Sequence, residues 1–202
     1  MSGNTTNFEI KDIVTVAVMM VLFFIVSMAI GMGTVTVPIL YLYGTAGIEM
    51  FIGAIFYLVC ANRINKHGLI FIWSTVYGLI NAAMGYTFML PYFIVVGILA
   101  ELSMIGKDAY RNPIRNMICW CIYGIGMVLG IGVPIYVAWE SYEKMALNGG
   151  FADATLMIQY EMVTRPELML IGVVITITLS ALGVLFGQKL LKKHFKKAGI
   201  VG

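Results

Sequence analysis

Long uncharged apolar runs, separated by short basic stretches, dominate the pattern along this chain. Ile13 to Gly33 carries no charge, and Val35 to Ala61 carries only Glu49. Leu69 to Ala100 is uncharged throughout, which as one helix would measure about 48 Å at ~1.5 Å per residue. That exceeds the ~30 Å hydrocarbon core, so the segment is expected to fold back on itself, with Gly85 and Pro91 marking the turn. Met117 to Trp139 and Leu168 to Gly187 supply two more clean runs. The pattern predicts an all-α integral membrane protein, a bundle of six transmembrane helices in a single membrane domain over 1–202. The expected spans are about 13–33, 37–61, 69–85, 88–105, 115–139 and 168–188, each close to the ~20 apolar residues that a crossing needs. The first run reads as span one rather than as a cleaved signal peptide, since no small-residue cleavage pattern stands out.

Composition agrees. Of 202 residues, 60% are hydrophobic and only 11% charged, too little polar surface to clothe a water-soluble globule. Lipid offers no partner to free backbone groups, and helices satisfy those groups internally.

Orientation follows from where Lys and Arg fall rather than from the net charge of +3. With both termini cytoplasmic, the inner set is Lys11; Arg63 and Lys66; Lys107, Arg111 and Arg115; and Lys189, Lys192, Lys193, Lys196 and Lys197. That is 11 of the 13 basic residues, with only Lys144 and Arg165 outside. The basic C-terminal cluster reads as an anchor beside anionic lipid heads, not as a nucleic-acid patch. The outer side then holds one sizeable loop, 140–167, acidic and aromatic, with Glu140, Glu143, Asp153, Glu161 and Glu167 around Tyr142, Phe151 and Tyr160. Such a loop could lie over an external mouth as a lid.

Helices in lipid associate through small residues and a few polar pairs. Gly126-x-x-x-Gly130 and Gly183-x-x-x-Gly187 are therefore expected packing faces. Two carboxylates fall within hydrophobic runs, where a charge usually faces protein, water or a cation. Glu101 stands near the cytoplasmic loop that begins at Gly106, so it could reach the interface or a partner. Glu49 lies deep if the second helix starts near Val35, or nearer the outside if Thr34 to Gly44 forms a loop. It could face a substrate cavity or bond to Asn81 or a hydroxyl. Aromatic and sulfur-bearing side chains crowd the expected outer ends: Tyr41, Tyr43, Met84, Tyr86, Phe88, Met89, Tyr92, Trp139 and Tyr142. They suit an interfacial belt or the walls of a pocket for a flat, partly apolar ligand.

Reactive constellations are missing. The chain has no Gly-x-Ser-x-Gly elbow, no His-Glu-x-x-His pair and no Walker-type phosphate loop, and His67 and His194 both fall on the inner side. Neither an enzyme nor a metal site is expected. Cys60, Cys119 and Cys121 read as apolar thiols. Asn112-Pro113-Ile114 reads as a helix start.

Several stretches carry a family likeness: Gly53 to Leu58, Asn62 to Gly68, Met84-Gly85-Tyr86, Gly97 to Leu102, Gly106-Lys107 with Tyr110, and Gly132 to Tyr136. In these the chain resembles the substrate-binding S components of energy-coupling factor (ECF) transporters, and among them the Trep_Strep, or MptD-like, group. The resemblance implies a subunit that captures a scarce nutrient at the outer face, docks on a membrane scaffold protein coupled to two ATP-binding cassette ATPases, and releases the ligand inside. It also implies a small-residue docking face on the first helix. Ala17 is followed by Val21 where a second alanine would stand, so docking is assigned to Ala17, Val21 and Glu101. Substrate binding is assigned to Glu49, Tyr41, Tyr43, Asn81, Met84, Tyr86, Met89, Trp139 and Tyr142. A vitamin or similar cofactor is the expected ligand class, haem or another tetrapyrrole the alternative, and a membrane structural or assembly protein the rival of another kind. The expected place is a bacterial plasma membrane.

Overall fold

The computed structural model describes residues 7–34 and 37–195. Val35, where the second apolar run was expected to begin, lies outside the described residues, as do Lys196 and Lys197 and the side chain of His194. The described chain is helical, with no strand among those residues. In order it forms α1 (Ile10–Thr34), α2 (Pro38–Ile64), α3 (Leu69–Ala83), α4 (Met89–Leu102), a 3₁₀ turn at Ala109–Arg111, α5 (Pro113–Gly130), α6 (Val133–Asn148), α7 (Asp153–Thr164) and α8 (Pro166–Leu190). Four helical stretches are long and apolar enough to cross a membrane: Ile10–Thr34, Ile39–Ile64, Pro113–Asn148 and Pro166–Lys193. Leu69–Ala83 and Met89–Leu102 are shorter apolar helices.

Local sequence sets most boundaries. Asn112 caps α5 with its side-chain oxygen, accepting from the backbone N–H groups of Ile114 and Arg115 at 3.0 and 3.1 Å, and Pro113 takes the first position, where no N–H is needed. The uncharged run from Leu69 does fold back. Gly85, at φ 106°, takes a left-handed conformation costly for other residues, and the Tyr86 N–H bonds to the Asn81 carbonyl at 3.1 Å. Pro91 sits within the first turn of α4 rather than in the turn itself.

Glycines let the helices touch. A methyl group at Gly183 would come within 2.6 Å of the Phe51 carbonyl oxygen, so α8 rides directly on the α2 backbone, and Gly187 meets Leu58 one turn on. Gly126 and Gly130 seat α5 against Val96 and Tyr92 of α4, and the Tyr92 hydroxyl donates to the Gly126 carbonyl at 2.7 Å. In the α3–α4 hairpin, Gly78 abuts Leu90 and Gly97 abuts Phe71, while Ser74 Oγ donates to the Phe93 carbonyl at 2.5 Å. Inside lies an aromatic core in which Tyr57 stacks on Trp120 at 4.6 Å, with Phe23, Trp73 and Tyr123 around them. The Trp120 indole donates to the Met50 carbonyl at 2.8 Å. The outward faces are apolar, as lipid requires.

One end of the bundle is stitched with polar bonds. Glu101 accepts from the Gly68 N–H at 2.8 Å and from the Tyr110 hydroxyl at 2.5 Å, and that hydroxyl accepts from the Ile70 N–H at 3.1 Å. Burial, and then the Glu101 charge, raise the Tyr110 phenol above its ordinary value, so it remains a proton donor. Asn116 accepts from the Tyr57 hydroxyl at 2.8 Å and donates to the Tyr110 carbonyl at 2.7 Å. Lys66 pairs with Asp12 at 2.7 Å, Asn65 donates to Asp108 at 2.7 Å, and Arg115 donates to the Ile105 carbonyl.

The opposite end is covered by α6 and α7. Backbone regularity breaks at Gly130–Gly132, where Pro134 starts a new helix, and α6 kinks at Ala138 (φ −154°, ψ 55°). Much of 140–167, read from sequence as a loop, is helical: Glu143, Lys144, Met145, Ala146 and Leu147 are strong helix formers, and the reversal is left to Gly149 and Gly150, the latter at φ 87°. The Tyr136 hydroxyl donates to the Val163 carbonyl at 2.5 Å, and Trp139 meets Tyr160 edge to face at 4.9 Å, so the two helices form one packed cover.

Candidate functional site

Beneath this cover, α2 presents Tyr41, Thr45, Glu49 and Gly53 at four-residue spacing, hence along one face. The lower end of that face is dry and aromatic, since Gly53 lies against the Phe23 and Trp120 rings. Phe23 in turn packs on Trp73 at 5.6 Å and Tyr77 at 6.0 Å. Toward its start, Thr45 is tied to Thr34 of α1, Oγ to Oγ at 2.6 Å. Glu49 stands between, about three turns into α2 and only 8% exposed. Among the described residues its carboxylate makes no hydrogen bond and no ion pair. Toward that aromatic end, Tyr77 packs on Phe23 at 6.0 Å and Tyr123 on Trp120 at 5.3 Å.

Elsewhere among the described residues, buried polar atoms without a hydrogen-bond partner are Ser27 Oγ, Asn65 Oδ1, Trp73 Nε1, Tyr123 Oη, Gln159 Nε2, Thr176 Oγ1 and Ser180 Oγ, the last two beside Gly124 where α5 meets α8. Such groups are uncommon in a packed interior because each forfeits its bonds to water. Gln159 is fully buried on the inner face of α7. Its carbonyl oxygen accepts from the Tyr142 hydroxyl of α6 at 2.6 Å, which fixes the side chain and leaves the amide N–H₂ unspent. Tyr41 meets Phe151 edge to face at 6.1 Å, which ties the start of α2 to the α6–α7 connection.

Sequence-assigned residues divide accordingly. Glu49 and Tyr41 share one face of α2, Tyr142 is bonded to Gln159 within the cover, and Tyr86 meets Phe88 edge to face at 6.2 Å. Trp139 packs against Tyr142 and Tyr160 within the cover. Asn81 donates to the Tyr77 carbonyl at 2.9 Å and makes no bond to Glu49. Met84 is exposed at the α3–α4 turn, while Met89 is buried toward Gly130. Tyr43 is half-buried and makes no side-chain hydrogen bond among the described residues. Of the docking set, Ala17 and Val21 lie on the exposed face of α1, and Glu101 spends both oxygens on internal partners. Four residues of the site were not anticipated: Trp73, Tyr77, Tyr123 and Gln159. The legible signal for Gln159 was periodicity. It shares a helical stripe with Thr155, Leu156, Met162 and Val163, and a glutamine on an otherwise apolar stripe asks for a partner.

Residues 10–197 match a family described as hypothetical bacterial integral membrane protein (Trep_Strep). The chain belongs to the Trep_Strep family. No curated protein and no solved structure matches it. This Trep_Strep protein is a multi-pass bacterial membrane protein.

Proposed function

We propose that this Trep_Strep protein is the ligand-capturing membrane subunit of an ECF-type importer. It binds a small organic nutrient of the vitamin or cofactor class at its outer face and hands it to partner subunits that hydrolyse ATP. The observation that carries this reading is the buried Glu49, without a hydrogen bond or ion pair among the described residues, on an α2 face that leads down to the Phe23 and Trp120 rings. An ionisable group at such a depth marks a substrate or ion path, and unmet hydrogen-bonding capacity suits a site completed by a ligand. The reading has six crossings, with α3 and α4 as the short ones. At ~1.5 Å per residue each is about 20 Å long, and their flanking turns and local bilayer thinning make up the rest. Both termini lie inside, in keeping with the concentration of Lys and Arg on the stitched end. Energy comes from a scaffold protein and two ATPases, because the chain carries no phosphate-binding loop of the Walker type.

Mass spectrometry of what the purified protein retains tests the capture role. A small organic molecule in wild type, depleted in Tyr86→Ala at equal membrane insertion, is the expected result. An empty wild-type protein after mild extraction from its native cells, with Tyr86→Ala indistinguishable from it, would contradict the role.

A further inference from the structure

Glu49 is a carboxylate in a place that offers it nothing. Taking such a group out of water costs several kcal/mol unless an opposite charge or several donors replace the water, and no described side chain does so. The basic residues nearest the cover in sequence are engaged elsewhere: Lys144 is exposed, and Arg165 pairs with Glu161 at 3.0 Å. One turn below Glu49 the same face of α2 is aromatic, with Gly53 against the Phe23 and Trp120 rings. Ring faces carry negative potential and attract cations, and most strongly where water is excluded. An anionic ligand would meet repulsion from Glu49 and find no guanidinium or ammonium to offset it, whereas a cation would be welcomed by carboxylate and rings alike. A second requirement comes from the cover, where the Gln159 amide N–H₂, fully buried and held by Tyr142, has no acceptor.

We infer that the captured ligand is a small organic cation, its positive nitrogen paired with Glu49 among Tyr41, Tyr77 and Tyr123, with an acceptor atom on the same molecule taken by Gln159. This rests on the capture reading above and narrows it: a tetrapyrrole with its two carboxylates is the wrong sign for the site. Glu49 supplies charge, the phenols supply face and edge, and Gln159 supplies direction from the cover.

The test uses the full chain in lipid nanodiscs, with benzyltrimethylammonium and benzoate as charge-opposed aromatic probes, followed by tryptophan fluorescence. The cation is expected to bind wild type saturably, with a dissociation constant of about 1 mM or tighter. Benzoate is expected not to bind. Glu49→Gln, which keeps shape but not charge, should weaken the cation about tenfold or more, and Glu49→Asp, which keeps the charge, should weaken it less. No saturable binding of the cation, equal binding of benzoate, an unchanged affinity in Glu49→Gln, or an aspartate variant weaker than the glutamine one would each overturn the inference. Should Glu49→Gln not fold, the cation against benzoate comparison on wild type decides alone. Co-purification with a scaffold and ATPases does not depend on ligand charge, so its outcome separates failure of this inference from failure of the subunit reading.

Discussion

Two glutamates in apolar surroundings meet opposite fates, and the difference lies in what their neighbours can donate. Glu101 takes the Gly68 N–H and the Tyr110 hydroxyl and becomes a structural tie, whereas Glu49 takes nothing from the described residues. Tyr110→Phe should therefore destabilise the protein by about 1–3 kcal/mol, since it strands the Ile70 N–H and one Glu101 oxygen. A lowered melting temperature in detergent with unchanged ligand affinity is the expected result, and a lost affinity at an unchanged melting temperature would move Glu101 into the recognition site. Gln159→Glu keeps an acceptor for the Tyr142 hydroxyl but removes the amide N–H₂ that would address the proposed ligand. Relative to the loss of melting temperature, affinity should therefore change several-fold more than in Gln159→Ala, which should lower the melting temperature by stranding that hydroxyl; titration and thermal unfolding of the same samples report both. Sequence placed Glu49 and Tyr41 on a short list, but not Tyr77 or Tyr123, because a charge and phenols near an expected outer end stand out in an apolar run. It assigned Glu101 to docking rather than to an internal tie, because partners that come from Gly68 and Tyr110, far apart along the chain, are invisible until the chain is folded.

At the scale of elements, glycine spacing was the most legible feature. Gly183 and Gly187 face α2, and Gly126 and Gly130 face α4, as small-residue pairs should in lipid. Gly31 and Gly33 of α1 have the same chemistry but nothing within 4 Å of an added methyl group. The two sets predict different mutants. Gly183→Ala must displace the Phe51 backbone and should cost about 1–3 kcal/mol, while Gly31→Ala should be neutral or stabilising by up to about 1 kcal/mol through helix propensity. Thermal stability of the two variants in one detergent checks this, and equal losses would contradict the close approach of α8 to α2. The cover was the least legible element. Its acidic and aromatic composition read as loop, yet helix formers between Glu143 and Leu147 and a single apolar stripe on α7 build two packed helices.

For the whole molecule, a polar-stitched end, an aromatic middle and a covered end holding unspent donors suit a subunit that opens at one face and stays rigid at the other. The α1 flank is apolar and only lightly engaged, with Ala17 and Val21 exposed on it, which leaves it for lipid or for the scaffold expected of an importer. The central claim is that this bundle works as one part of a larger ATP-driven assembly. Affinity purification of the full chain from native membranes in mild detergent, with mass spectrometry of everything recovered, tests it most directly. A membrane scaffold protein and two ATP-binding cassette ATPases recovered in fixed proportion is the predicted result; recovery of the chain alone under every mild condition would contradict it.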